Sequence, residues 1–437
     1  RTSAVEGNQV VNLCGGPYAF DNYRCTTTVV LQNKSPTCQY RAVGHPIATA
    51  VTEGLVDLAA QALGMDPVAI RRKNLIRDDA YPCTSPAGMK FEGLSHHASL
   101  DKLLEMVPVD RIRADQAEQR KKGVYRGLGI ASFIELTNPS PFMYGIGGAK
   151  ISAQDGCTVR MDPDGSVVAL SGVTEQGQGT EAILAQIVAH GVGVPVSKVK
   201  VVTGDTQTTP YGGGTWACRG AGIGGEAALQ SAIALKEQIL EVAGAMLQAQ
   251  GSSLDIVMGE VVDKATGQSR MPLSELGRIV YYRGDTLPKE LSRELVQTRH
   301  YITKEYPFAF TNGIQASWLE VDVETGMVKL LEHWCVEDCG RVINPMLVDE
   351  QVRGGIVQGI GGALYEHCIY NEDGQLLTTT LADYLVPMAA EMPDMHVGHV
   401  ETPTKESLLG AKGAGEAGTA GAPAAIMNAI NDALSPL

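Results

Sequence analysis

The sequence lacks the common signatures of a protein-held metal. Its nine cysteines and nine histidines form no C-x-x-C, no H-E-x-x-H and no paired zinc or iron–sulfur ligand spacing. It also lacks the phosphate-loop pattern G-x-x-x-x-G-K-[ST]. Two bare G-x-G-x-x-G spacings occur, at Gly220, Gly222, Gly225 and at Gly413, Gly415, Gly418. Neither directly follows a clear strand with a suitable acidic partner downstream, so ordinary nucleotide-binding folds are disfavoured. No apolar run approaches the roughly 18–20 residues needed to span a bilayer. Positive charge is scarce: 35 Lys and Arg stand against 49 Asp and Glu, a formal net charge of −14. That balance argues against nucleic acid or an anionic membrane as the main partner. The chain begins Arg1-Thr-Ser-Ala, without Met and without a basic-then-apolar leader, as a processed, split or truncated polypeptide would. Scattered cysteines in odd number read as buried free thiols in a reducing, cytoplasmic compartment.

A chain of 437 residues with 44% hydrophobic content implies a sizeable core and two or three domains. Residues 1–35 read as irregular with short strands. Residues 49–64 read as an amphipathic helix with Val51, Leu55, Leu58 and Leu63 on its apolar side and Gly64 ending it. Asp66-Pro67 starts a second helix, to about Leu75. Residues 78–98 are loop-rich, and 100–122 read as one charged helix. From Gly123 the chain turns β-rich. Asp162-Pro-Asp-Gly165 and Glu324-Thr-Gly326 each sit between alternating apolar residues as hairpin turns. Each hairpin precedes a glycine-rich segment and a helix, a weak internal duplication. The expected fold class is α+β, with mixed sheets and helices packed on them. His96-His97 reads as a loop pair, His333 and His367 as packing residues, and His45 as a satisfied surface or loop histidine.

Glycine-rich segments are the main feature. Three read as loops feeding helices: 175–181, 211–225 and 353–364. A fourth, 408–421, holds a single carboxylate, Glu416, just before the helical stretch 422–434. Glycine permits close backbone approach and positive φ, and helix N-termini favour anionic groups. Together they suit a large, multiply anionic ligand with a base beside it. The plain alternatives are tight helix packing for each loop and a helix cap for Glu416.

With these residues laid out, the chain resembles the molybdopterin-binding subunit of the molybdenum hydroxylases, the xanthine oxidase and aldehyde oxidoreductase family. The motifs fall in the family's order. Tyr40-Arg41-Ala42-Val43-Gly44 resembles its aromatic-Arg-Gly-x-Gly loop beside the metal. Residues 64–74, from Gly64-Met-Asp-Pro to Arg71-Arg-Lys-Asn74, resemble G-x-D-P-x-x-x-R-x-x-N. Gly177-Gln178-Gly179 resembles the G-Q-G pterin contact, and Ala217-Cys218-Arg219 falls in the loop that wraps pterin and phosphate. Asp338-Cys-Gly-Arg-Val-Ile-Asn-Pro345 resembles D-x-G-x-x-x-N-P, and Lys412-Gly-Ala-Gly-Glu416 the catalytic G-E loop.

The resemblance implies two molybdenum-cofactor-binding domains, residues 1–122 (part of the first) and 123–437, with the site between them. It implies Glu416 as the catalytic base. Arg41, Gln178, Gly179, Ala217, Cys218, Arg219, Gly220, Lys412 and Gly415 would contact the cofactor, and Val43 and Phe133 the substrate pocket. Phe133 reads equally well as strand core. The cofactor's dithiolene would hold the molybdenum, so no protein ligand is required. The cofactor would be the molybdopterin type, as such or as its cytosine dinucleotide. The implied reaction is hydroxylation of an electron-poor carbon, in an aromatic N-heterocycle or an aldehyde, with water as oxygen source. Electrons would leave through 2Fe-2S clusters, commonly to FAD, on partner chains. Two departures stand out. The family's further half, with its G-G-x-F-G-x-K loop, is not in this sequence, so a partner chain carrying that half is expected. Ala42 stands where carbon monoxide dehydrogenases place a copper-holding Cys. With Cys38 merely nearby, carbon monoxide is disfavoured as substrate. Two other classes remain as alternatives: a non-catalytic scaffold that keeps the fold, and a chaperone-like anion-binding module.

Overall fold

Strand Tyr125–Thr137 presents different chemistry on its two faces. Leu128 and Ile130 enter one apolar cluster, with Ile314, Trp334, Leu100, Leu103 and Ile112. Phe133, out of phase with them, enters another with Val352, Ile356, Ala417, Ala420 and Ile426. A period of two therefore buries both faces. The strand pairs antiparallel with Ala309–Val321, which pairs antiparallel with Val328–Asp338, which pairs in parallel with Asp394–His399. Helices His96–Met106 and Val109–Arg120 supply the first cluster, and helices Pro345–Leu364 and Ala417–Leu434 the second.

The structure is a computed structural model describing residues 3–34, 39–145, 150–435 and 437. Cys38 lies outside the described residues. The chain divides into two compact units. One comprises Arg1–Lys150, Glu305–Thr404 and Ala411–Leu437, and contains the sheet just described. The other comprises Ile151–Lys304 and Lys405–Gly410. Its four-stranded sheet runs in the order Val296–Tyr301, Asp155–Met161, Val167–Ser171, Val199–Val202, the last pair parallel. Helices Thr180–Val192 and Glu226–Leu247 belong to it, with a small three-stranded sheet, Leu254–Val257, Glu260–Asp263 and Ser269–Pro272. Mixed sheets with packed helices are the α+β class expected. The contacts do not divide at residue 122: strand Tyr125–Thr137 belongs to the same unit as the helices before it.

In the first unit, helix Ala417–Leu434 is gripped backbone to backbone. A Cβ on Gly127 would fall 1.8 Å from the Ala429 carbonyl oxygen, and one on Gly129 2.2 Å from that of Ala425. On another side, a Cβ on Gly418 would fall 2.3 Å from the Val352 carbonyl oxygen of helix Pro345–Leu364. Glycine at these points lets strand and helices approach closely enough to fix the position of the helix that follows Glu416.

Several expectations need correction. Residues 353–364 are not a loop; they lie inside helix Pro345–Leu364, where Gly355 and Gly359 face Gly418 and Ala422. Tight packing accounts for those glycines. The irregular reading of 1–35 misses helix Ser3–Leu13, whose Val5, Gln9 and Leu13 are buried at a spacing of four. The helix expected over 100–122 is two, interrupted at Pro108, which cannot donate a helical hydrogen bond. The helix expected at 49–64 spans His45–Leu63, with Gly64 in the left-handed conformation at its end. Its supposed core side is its outer side: Val51, Leu55, Leu58 and Leu63 are exposed, while Thr49, Thr52 and Glu53 are buried. His96-His97 opens a helix and is not a loop pair, and His367 is exposed.

Candidate active site

The expected residues fall into two sets, one in each unit. In the first unit the set is built on the segment 411–416. Ala411 bridges to Gly340, and the Lys412 amide donates to the Cys339 carbonyl (2.8 Å). Asn138 Nδ2 donates to the Ala411 carbonyl (3.2 Å), and Thr311 Oγ1 donates to that of Gly413 (2.5 Å). Arg41 Nε donates to the Gly415 carbonyl (2.6 Å), joined by Gln351 Nε2 (3.3 Å). The other guanidinium nitrogens of Arg41 reach Gln358 Oε1 (3.4 Å) and the Gln351 carbonyl (3.3 Å). A planar fork suits this three-way task. Arg41 is thus a clamp on the residue before Glu416.

Glu416 sits at the N-cap of helix Ala417–Leu434, half-buried. Its carbonyl accepts from the amides of Thr419 (3.0 Å) and Ala420 (3.1 Å). Its side chain makes no capping hydrogen bond. The helix-cap alternative therefore loses its main support, and the carboxylate stands at the positive end of a helix.

Lys412 is buried, and its Nζ lies 4.0 Å from Asp338 Oδ1. Asp338 Oδ1 also accepts from the amides of Gly340 (2.9 Å) and Thr402 (3.0 Å). His96 lies near both charges, its Nε2 hydrogen-bonds the Phe133 carbonyl oxygen (3.0 Å), and burial lowers its pKa to about 4. His399 bridges Glu337 (2.7 Å) and Asp349 (2.5 Å). Burial disfavours its cation, but the two carboxylates outweigh that and hold its pKa above the ordinary value. Ala42 is fully buried with φ 68°, Val43 is half-buried, and His45 is buried with its pKa lowered to about 3 by burial. Phe133 is 1% exposed, its ring packed against Gly313 and Gly421, so the core reading describes it.

In the second unit, segments 174–180 and 211–220 are tied together. The Thr174 amide donates to Thr215 Oγ1 (2.9 Å), and Gln176 Nε2 to the Thr215 carbonyl (3.1 Å). Gly177 and Gly179 have positive φ. The first turn of helix Thr180–Val192 is already served by an acid. The carboxylate of Glu175 accepts from the amides of Gln176, Gly177, Gly179 and Glu181. Partial burial pushes its pKa up, but these four bonds prevail and hold it below the usual range. A carboxylate of the chain itself thus already stands at that helix terminus. Gln178 Nε2 donates to Thr180 Oγ1 (2.6 Å) and the Thr174 carbonyl (3.2 Å), so its amide shapes its own loop.

Ala217 and Cys218 both have left-handed backbone, with φ 46° and 55°, a strained conformation outside glycine. Gly220 then opens a π turn, Gly220–Gly225, leading into helix Glu226–Leu247. The Arg219 side chain is wholly buried. It pairs with Asp155 (3.1 Å) and donates to the carbonyls of Gly214 (2.9 Å) and Gln154 (2.7 Å). It braces the loop from beneath, so its expected cofactor contact is not made by a free guanidinium.

Gln351, Thr311 and Asn138 are not among the residues the sequence singled out, and Glu175 and Gln358 lie in singled-out segments without having been given a role. Gln351 and Gln358 are seven residues apart, two helical turns, which was the available sign that they share a face.

A family model described as "Molybdopterin cofactor-binding domain" matches residues 102–393, and a second of the same description matches residues 2–75. The chain belongs to this family. Within it, the chain falls among the molybdopterin-binding large subunits of the xanthine oxidase family. It is 37% identical over its full length to the nicotine 6-hydroxylase large subunit of Paenarthrobacter nicotinovorans, covering 52% of that protein. It is 30% identical over 97% of its length to the carbon monoxide dehydrogenase large chain of Hydrogenophaga pseudoflava, covering 53% of that chain. The crystal structure of quinoline 2-oxidoreductase from Pseudomonas putida 86 matches with a TM-score of 0.83 and 37% identity. That match covers 91% of this chain and 50% of that one. The chain spans about half the length of the curated relatives it matches. Among the described residues no helix is long and apolar enough to cross a membrane.

The residues fit the cofactor this family holds. Beside the Glu416 loop, two buried polar atoms, Lys412 Nζ and Asn138 Oδ1, have no hydrogen-bond partner among the described residues. Such atoms mark a polar surface completed by water or a bound group. In the second unit, Gly177 and Gly214 have positive φ and open space where a Cβ would stand. That leaves backbone accessible to a ligand rich in acceptors and donors.

Proposed function

We propose that this chain is the active-site part of a molybdenum hydroxylase that inserts a water-derived oxygen at an electron-poor carbon of an aromatic N-heterocycle. The observation that carries this reading is Glu416: a carboxylate at a helix N-terminus, unengaged in capping, on a loop clamped by Arg41 and Gln351. The molybdenum cofactor, when bound, supplies the centre that accepts two electrons. Glu416 accepts the proton released as oxygen is transferred. Arg41, Gln351 and Thr311 fix the loop, and the glycine contacts of helix Ala417–Leu434 fix its base. In the second unit, the backbone at Gly177 and Gly214, open where a Cβ would stand, is the part left to meet the pterin, since the amides of residues 176, 177 and 179 are held by Glu175; in the first unit Lys412 supplies positive charge. The two relatives at 37% identity are named for nicotine and quinoline, both N-heterocycles, which supports that class over an aldehyde. Ala42 offers no thiol to a second metal, which supports the exclusion of carbon monoxide. The other half of the large subunit completes the site, and iron–sulfur and flavin subunits carry the electrons away. The test is elemental analysis of the intact complex with a screen of N-heterocycles, aldehydes and carbon monoxide against an artificial electron acceptor. Stoichiometric molybdenum and turnover of N-heterocycles are expected. Absence of molybdenum, or turnover of carbon monoxide alone, refutes the reading.

A further inference from the structure

Strand Ala309–Val321 is an inner strand of its sheet and packs against helix Ala417–Leu434. Its Gln315 is wholly buried, with Nε2 3.2 Å from the Ala417 carbonyl oxygen and 3.0 Å from that of Gly418. These are the two residues that follow Glu416. Gly421 makes the approach possible, since a Cβ there would fall 2.9 Å from Gln315 Cδ. On the neighbouring strand, Cys335 lies opposite Gln315 and His333 opposite Ser317, so His333 is the diagonal neighbour of Gln315 on the same face. His333 Nε2 lies 3.0 Å from Gln315 Oε1. Valence fixes the orientation. Backbone carbonyls only accept, so the amide nitrogen of Gln315 faces them and its oxygen faces His333. His333 therefore carries its proton on Nε2 and donates it to that oxygen. The helix needs support at this end. Pro423 stands inside it and has no N–H for the Thr419 carbonyl four residues back. The first turn thus lacks one of its own hydrogen bonds. Contacts with other elements hold it instead: Gln315 on two carbonyls, and Thr419 Oγ1 donating to the Gly355 carbonyl (2.8 Å).

We infer that Gln315, its amide oriented by His333, is a positioning residue that sets the place of Glu416 through the Ala417 and Gly418 carbonyls. This rests on the reading of Glu416 as the base. Arg41 and Gln351 hold Gly415, the residue before Glu416, and Gln315 holds the two residues after it. Glu416 is thereby fixed from both directions along the chain. A carbonyl oxygen has two lone pairs, so Gln315 adds to the helical hydrogen bonds and does not replace them. Its removal leaves the helix standing but leaves Glu416 on a turn anchored from one side. A reacting group displaced by about 1 Å costs up to ~10²-fold in rate.

The experiment uses the intact complex. Gln315→Met keeps the length of the side chain without its donors, but leaves the His333 Nε2–H unpaired in the interior. Q315M/H333L removes both ends of that contact and leaves no orphaned donor there. Four properties are measured: melting temperature, molybdenum per complex, single-turnover reduction over a range of substrate concentrations, and hydrogen exchange of the amides of residues 417–420. Gln315→Met should lower the melting temperature, and Q315M/H333L should restore most of it. In both variants the molybdenum content and substrate dissociation constant should stay within about twofold of wild type, while the limiting rate of reduction falls at least about tenfold. Exchange at 417–420 should be faster in both. A merely structural role would return the rate together with the stability. A Q315M/H333L complex that reduces within about twofold of the wild-type rate therefore overturns the positioning role, as does exchange at 417–420 equal to wild type. Wild-type reduction by a Glu416→Gln complex overturns the underlying reading instead.

Discussion

Replacing Glu416 with Gln separates its two possible roles because the structure assigns them different energies. The side chain makes no capping hydrogen bond, so the roughly 1 kcal/mol typical of a lost cap is not at stake. At the helix N-terminus Gln loses a negative charge, about 0.3–1 kcal/mol, and as an isostere it keeps the shape and most hydrogen-bonding capacity of the Glu side chain. Gly415 remains clamped by Arg41 and Gln351, and Gly418 remains against Val352, so the loop should hold its place. What Gln loses for chemistry is the proton acceptor. General-base catalysis contributes about 10²–10⁴-fold, or roughly 2.7–5.5 kcal/mol at 1.36 kcal/mol per tenfold. The kinetic loss should therefore exceed the folding loss several-fold. The assay is threefold on one preparation: melting temperature, molybdenum per complex, and single-turnover reduction by substrate. Near-normal melting and molybdenum with reduction at least about 10²-fold slower are expected. Reduction at close to the wild-type rate refutes the assignment of Glu416 as base.

Three further outcomes are expected. Arg41→Lys keeps the charge but loses the fork that holds Gly415, so turnover should fall about 10–100-fold, equivalent to the ~1–3 kcal/mol of a lost charged hydrogen bond; an unchanged kcat in steady-state kinetics refutes the clamp. Gly418→Ala puts a methyl 2.3 Å from the Val352 carbonyl oxygen, where backbone must move, and should destabilise by about 1–3 kcal/mol in chemical denaturation. His333 is fully buried and its pKa is lowered by burial to about 3; the unfolded chain binds its proton below about 6.5 while the fold does not, so stability falls as pH falls through that window by up to ~1.4 kcal/mol per unit. His333→Gln, which can keep a bond to Gln315, should flatten the slope between about pH 6 and 4 by that amount, and an identical slope refutes it.

Much of the fold was legible because local chemistry determined it. Asp66 caps helix Pro67–Asn74 by accepting from Val68 and Ala69, as a capping Asp before Pro should. The turns at Gly165 and Gly326 have the positive φ that their sequences announced. The place of Glu416 was legible too: the glycine-rich segment 408–421 was expected to run straight into a helix, and Glu416 stands at the N-cap of helix Ala417–Leu434. The residues expected to contact the cofactor were less so. Their place in a motif makes Gln178 and Arg219 look like ligands, yet Gln178 is engaged within its own loop by Thr180, and Arg219 ties its loop at Gly214 to Asp155, 64 positions away in sequence. A motif marks which backbone must keep its shape, and the side chain inside it can be what holds that shape.

Glycine and amphipathicity mislead for a common reason. Residues 211–225 and 353–364 are similarly glycine-rich, yet the first is a strained loop with a π turn and the second is helix interior. The distinction is present in the spacing. Gly355 and Gly359 are four apart, and so are Gly418 and Ala422, so each helix carries small residues along one face, and the two faces meet. The segment 211–225 instead opens with three consecutive glycines, Gly212 to Gly214, which no helix face calls for. The helix His45–Leu63 shows the complementary limit. Its stripe of Ile47, Val51, Leu55 and Leu58 has the period of a buried face. Period states that a stripe can pack, but not that it is the face this fold buries. Here the polar face won the interior because Glu53 and Arg71 satisfy each other there, with Tyr18 donating to Glu53 (2.7 Å) and Asp57 accepting from Arg71 (2.6 Å). A network that complete can be buried without an apolar face.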